Sequence, residues 1–169
     1  MRHQNMNNQW GFLKFSELGE DNFNRLALRL LRVEISSDVQ PTNKVGRDNK
    51  CDAFLLPCSN NYQWDGLWWF QFKFRDHGRR DNNKLKNKFK TELIAELDAV
   101  IKKKNIPKNY IVITPVELSG QDWTNWYQDN ILTKYSSYIQ NIRIWDFSKL
   151  NSLLDEHLAI KLEFEQLFT

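Results

Sequence analysis

Leu67-Trp68-Trp69-Phe70-Gln71-Phe72-Lys73-Phe74-Arg75 is the strongest strand signal in the chain. Aromatic side chains favour the pleated, half-buried surface of a sheet, and alternation divides the segment into two chemically opposite faces. Phe70, Phe72 and Phe74 share one face, which must pack on a helix. Trp69, Gln71, Lys73 and Arg75 share the other. That second face is either the solvated side of an ordinary strand or the lining of a site.

On the N-terminal side, the turn-rich Ser59-Asn60-Asn61-Tyr62-Gln63-Trp64-Asp65-Gly66 leads into this strand. Before it lie two short candidate strands, Val39–Val45 and Asp52–Leu56, joined by the turn Gly46-Arg47-Asp48-Asn49-Lys50. Earlier still, Leu18, Phe23, Leu26, Ala27, Leu30 and Leu31 keep the three–four spacing of an amphipathic helix over Glu17–Arg32. Residues 1–16 lack a clear period and read as an N-terminal arm, leaving 17–169 as a single domain.

On the C-terminal side, Asp81-Asn82-Asn83 offers a helix cap. Leu85, Phe89, Leu93, Leu97 and Val100/Ile101 then form a stripe running to Lys104, and Pro107 stops it. Asn109-Tyr110-Ile111-Val112-Ile113 reads as a buried central strand. A Trp-rich helix around Asp122–Tyr135, a strand Ile142–Trp145 and a helix from Ser148 complete the order α-β-β-β-α-β-α-β-α. The fold class expected is α/β, with helices on both sides of a mixed sheet.

A length of 169 residues suits one core. The hydrophobic share, 41 %, is modest, and seven Trp restore the volume. No run approaches the roughly 18 apolar residues of a membrane span, and the first residues lack the apolar core of a secretory signal, so a cytoplasmic location is expected. Cys51 and Cys58 would lie about 23 Å apart on an extended chain, too far for a disulfide, and read as two reduced thiols. From Lys73 to Lys90 eight basic residues (Lys73, Arg75, Arg79, Arg80, Lys84, Lys86, Lys88, Lys90) face Asp76 and Asp81, a local balance of +6. From Glu117 onward eight acids face four bases, a balance of −4. Such polarisation gives one basic face, suited to a phosphate-bearing partner or simply to solvent.

Asp52 opens one strand and Gln71-x-Lys73 lies on its expected neighbour, so the three can converge. A hard Mg²⁺ ion takes oxygen ligands from carboxylates, carbonyls and waters. It polarises a phosphate and acidifies a bound water, while a nearby lysine orients that water or offsets developing charge. Metal-assisted phosphodiester hydrolysis is the chemistry this set fits.

The strings Gly46-Arg47-Asp48-Asn49-Lys50-Cys51-Asp52-Ala53 and Gln71-Phe72-Lys73 resemble the G-x-D-G-G-x-D-(A/G) … Q-x-K signature of the PD-(D/E)xK nuclease superfamily, in the branch of the Mrr-type restriction endonucleases. The branch also supplies effector nucleases to bacterial anti-phage systems. Where it often carries F-E-x-L on its first helix, this chain has Phe23-Asn24-Arg25-Leu26. The resemblance extends loosely to Ile142–Leu154 and spans roughly residues 17–158. It implies a restriction-endonuclease-like three-layer core (αβββαβ plus a C-terminal αβα) and a Mg²⁺-dependent endonuclease acting on double-stranded DNA, with Mn²⁺ able to substitute. Asp52 would be the principal metal carboxylate, Gln71 and the Phe72 backbone carbonyl further ligands, and Lys73 the catalytic lysine. Asn24, or Asp21 one turn earlier, would stand in for the first-helix acid. Asp48 would lie in the turn, as a site residue or as an Asx-type stabiliser. The implied assembly is a homo-oligomer, or a domain attached to a larger NTPase or sensor protein.

Around this core, Arg75, Arg79, Arg80, Lys84 and Lys88 are candidates for tracking nucleic-acid phosphates. The lysines fall in the first turns of a helix, where cations oppose the macrodipole by ~0.3–1 kcal/mol each. Trp123, Trp126 and Tyr127 read as core or interface before base-stacking, and His77 as incidental before general base. With Asn24 and Gln71 both neutral, a catalytically weak or inactive nucleic-acid-binding module on the same fold is the alternative. A structural domain whose basic patch binds an acidic protein is a third reading.

Overall fold

A computed structural model describes Phe15 and residues 17–42, 51–75 and 82–168. Helix α1 (Gly19–Glu34) precedes strands β1 (Gln40–Pro41), β2 (Ala53–Leu55) and β3 (Trp68–Phe72). Helix α2 (Asn82–Val100) leads to β4 (Asn109–Ile113). Helix α3 (Gln121–Tyr127) continues through a π turn (Gln128–Leu132) into a last turn at Thr133–Tyr135. Strand β5 (Asn141–Trp145), helix α4 (Phe147–Glu156) and helix α5 (Leu158–Glu165) follow. The order is the one expected, except that the final helix breaks at His157.

The five strands form one open mixed sheet in the order β1-β2-β3-β4-β5. The pairs β1–β2 and β2–β3 are antiparallel, whereas β3–β4 and β4–β5 are parallel. Every residue of β4 is buried, as a parallel strand with helices on both faces requires. Strand β3 is shorter than its aromatic run suggests: it ends at Phe72, so Lys73, Phe74 and Arg75 lie just beyond it.

Two apolar clusters share the sheet. Trp68, Phe70, Ala53, Leu55, Ile111, Ile113 and Trp145 face α1, α4 and α5, with Phe72 and Phe74 packed at the margin. On the opposite side Tyr110, Val112 and Ile142 meet Leu85, Phe89, Leu93, Leu97 and Val100 of α2, with Ile131 and Tyr135 beyond. The expectation that Phe70, Phe72 and Phe74 pack together on helices is met. Their neighbours on the strand are not solvated either, because α2 lies over them, with Trp69 packed against its cluster. Phe15, within the expected N-terminal arm, is buried and meets Phe147 edge-on at 5.9 Å.

No helix of the described residues is long and apolar enough to cross a membrane. Cys51 and Cys58 are both free thiols. Burial pushes the Cys51 thiol from its ordinary 9.0 up to about 12, and neighbouring Asp52 adds to the effect.

Candidate active site

The site is built where β2 begins and β3 ends. Antiparallel pairing sets Ala53 against Phe70, which carries Asp52 toward Gln71, one residue beyond the ladder. The Asp52 backbone is held from both sides: its N–H donates to the Phe70 carbonyl at 2.7 Å, and its carbonyl accepts from the Thr42 N–H at 2.9 Å. Its side chain then takes the next place in the ladder, Oδ2 accepting from the Phe72 N–H at 2.7 Å. In an extended residue the N–H and C=O point to the same side, so the Phe72 carbonyl is directed toward Asp52.

Gln71 is buried, with 8 % of its surface exposed, and its Oε1 accepts no hydrogen bond among the described residues. Leaving a buried amide oxygen without a donor costs about 1–3 kcal/mol. Asn24 on α1 has a buried Oδ1 in the same condition. Phe23 beside it contacts the Phe74 ring at 5.7 Å, bringing this turn of α1 to the end of β3. Asp21, the other α1 candidate, is exposed.

Lys73 is fixed at several points. Its N–H donates to the Ile113 carbonyl at 2.8 Å. In a parallel ladder its carbonyl would accept from residue 115, but that is a proline without an N–H. The hydroxyl of buried Thr114 donates instead, at 2.9 Å. The ammonium forms an ion pair with Glu96 of α2. Glu96 is among the least exposed charged side chains, at 5 %.

Glu96 does not stand out in the Q-x-K pattern, yet a signal for it exists. It sits at the three–four spacing of Leu93, Leu97 and Val100, so an acid occupies the apolar stripe of α2. One turn earlier Glu92 pairs with Arg75, whose guanidinium also donates to the Phe74 carbonyl. The pair Lys73–Glu96 and the pair Arg75–Glu92 thus run side by side between strand end and helix.

The basic helix is less uniform than its composition implies. Lys84 and Lys88 are exposed. Lys86 turns inward and donates to the Ser119 carbonyl at 2.9 Å and to Asp122 at 3.3 Å. Lys90 lies over the Trp126 ring, 5.2 Å from its centroid. Trp126 and Tyr127 stack on Trp123 at 5.3 and 5.7 Å, and all three pack against the α2 cluster. Asp48, His77, Arg79 and Arg80 lie outside the described residues.

A separate group, Glu34, Glu156 and His157, brings three potential ligand atoms within 4.8 Å of one another at the meeting of α1, α4 and α5. His157 contacts Glu34 at 3.3 Å, and the Tyr62 hydroxyl lies 3.5 Å from the same carboxylate. Burial first, and Glu34 next, push the Tyr62 phenol up to about 12. The group contains none of the residues of the Asp52 site.

The candidate oxygens where β2 begins and β3 ends are the Asp52 carboxylate, the buried Gln71 amide oxygen and the Phe72 backbone carbonyl, with the buried Asn24 oxygen on α1. This all-oxygen set fits a hard divalent cation better than a soft one. Compared with family models, curated proteins and solved structures, the chain has no match in any of the three.

Proposed function

We propose that the chain is a metal-dependent endonuclease of restriction-endonuclease-like architecture, hydrolysing phosphodiester bonds of double-stranded DNA. The observation that carries this reading is the common place of three residues where β2 begins and β3 ends: the Asp52 carboxylate tied to Phe72, the buried Gln71 oxygen with no donor among the described residues, and Lys73 two residues on. The mixed sheet, antiparallel at β1–β2–β3 and parallel from β3 onward, is compatible with the architecture implied by the sequence resemblance.

Asp52, Gln71 and the Phe72 carbonyl would hold Mg²⁺ or Mn²⁺, with Asn24 the candidate from α1. The ion would polarise the scissile phosphate and acidify an attacking water. Asp52 contributes the negative charge and, through Phe72, holds the strand end in register. Gln71 would contribute an oxygen that no described residue hydrogen-bonds. Lys73 presents a cation beside these groups, able to offset charge that develops on the phosphate. Exposed Lys84 and Lys88 would meet the nucleic-acid backbone, where cations at a helix start gain from an anionic partner. Arg75 would serve there only after exchanging Glu92 for phosphate.

The test is cleavage of supercoiled plasmid over a wide protein range with Mg²⁺, Mn²⁺ or EDTA, and with Asp52→Ala and Lys73→Ala. Metal-dependent nicking abolished in both variants supports the reading. DNA shifted on a gel but uncut with every metal would favour a nucleic-acid-binding module.

A further inference from the structure

We infer that Glu96 is a positioning residue for Lys73, holding its ammonium in one place beside Asp52 and Gln71; this inference deepens the nuclease reading and rests on it. A lysine head group is ordinarily a mobile, hydrated point charge on a four-carbon stem. Here both ends of the residue are held. The Ile113 carbonyl and the Thr114 hydroxyl fix its backbone, at 2.8 and 2.9 Å. Glu96 fixes its charge from across the sheet–helix interface, with side-chain exposures of 18 % for Lys73 and 5 % for Glu96.

Packing alone gives α2 no reason to carry an acid at this position. Leu93, Leu97 and Val100 surround it on the buried stripe, and a buried ion pair gains little over apolar side chains of similar volume. What the pair supplies is a charge with a defined location, and preorganised charge is what a phosphoryl site uses. The second rung reinforces this. Arg75 is two residues after Lys73, and Glu92 is one helical turn before Glu96. Two such rungs, one helical turn apart, tie α2 to the strand end at two points.

The experiment uses the whole chain and two readouts. In the first, the lysine side-chain ¹H–¹⁵N signals are recorded near neutral pH and low temperature. The Lys73 signal is assigned by its loss in Lys73→Arg. A tethered ammonium gives a persistent signal, which Glu96→Gln is expected to broaden or abolish. In the second, plasmid cleavage by Glu96→Gln is expected to show kcat lowered about 10- to 100-fold, as small misplacements of reacting groups do, with KM for DNA within about twofold. Glu163→Gln, which breaks the exposed Arg29–Glu163 pair, should change neither. Should Glu96→Gln fail to fold, Glu96→Asp, which keeps the charge but shortens its reach to the ammonium, carries the same two readouts.

A Lys73 signal unchanged in Glu96→Gln overturns the inference, as does an unchanged kcat once that signal is lost. Failure of the nuclease reading looks different: the wild-type chain cuts nothing with any metal, while the signal still judges the tether.

Discussion

The Asp52 side chain accepts the Phe72 N–H at 2.7 Å, completing with a carboxylate the hydrogen bonding that the β2 backbone leaves off. One side chain therefore does two things. It fastens the start of β2 to the end of β3, and it sets a carboxylate across the ladder from Gln71. Structural and chemical roles separate when the charge is removed without the shape.

Asp52→Asn keeps an acceptor for the Phe72 N–H, so folding should be nearly intact while metal-dependent cleavage falls at least ~100-fold. Asp52→Ala removes the acceptor as well and should lose about 1–3 kcal/mol of stability. Urea unfolding beside plasmid cleavage checks both. Equal stability of the two variants would show that the hydrogen bond to Phe72 contributes little.

Gln71→Met removes the buried oxygen that lacks a donor. In EDTA this variant should be about 1–2 kcal/mol more stable than the wild type, because a desolvated polar group has been replaced by an apolar one. With saturating Mn²⁺ the order should reverse. A cation at 100 times its dissociation constant stabilises the wild type by about 2.7 kcal/mol, and the variant has lost a ligand. Thermal melts with and without metal measure this directly.

Removing one partner of the Lys73–Glu96 pair leaves a charge behind in a largely enclosed place. Lys73→Met or Glu96→Leu alone should cost about 3–5 kcal/mol. The double variant should recover most of that loss, since apolar side chains suit the stripe of Leu93 and Leu97. A double-mutant cycle by denaturant unfolding gives the coupling.

Gly66 turns the chain into β3 with φ +88°, a left-handed conformation. A Cβ there would come within 2.8 Å of the Lys108 Cβ and 2.6 Å of its Cδ. Gly66→Ala should therefore destabilise by about 1–2 kcal/mol from the backbone alone, read as a lowered denaturation midpoint.

Alkaline pH should weaken the α3–β5 contact. The Tyr127 hydroxyl donates to the Ile142 carbonyl at 2.5 Å, and burial pushes its phenol from the ordinary 10.0 up to about 12. The folded protein resists ionisation more than the unfolded chain does. The resulting stabilisation is complete below pH 10 and is lost as pH rises through about 12. Tyr127→Phe should be about 0.5–1.5 kcal/mol less stable near neutrality, yet decline less steeply over that alkaline range. Unfolding free energies at a series of pH values test the slope.

Much of the architecture follows from local pattern. The three–four spacing of Phe23, Leu26, Ala27 and Leu30 places α1, and alternation in Trp68–Phe72 places β3 and separates its faces. The apolar run Tyr110–Ile113 marks the buried central strand. The Asp52 and Gln71-x-Lys73 pattern locates the candidate site for a similar reason: a strand's period of two tells which side chains share a face.

Which helix lies over that face is another matter. Period and propensity describe neighbours along one element, whereas Glu96 meets Lys73 and Glu92 meets Arg75 only because the sheet order and the rotation of α2 bring them together. For the same reason Lys86 counts toward a basic helix in the sequence but is spent on Ser119 and Asp122 in the fold. The sequence by itself determined most of the elements, their order and a set of candidate residues sharing one strand face. The tertiary structure decided which of those charges are already paired, because a charge's partner depends on packing across the core and not on its place in the chain.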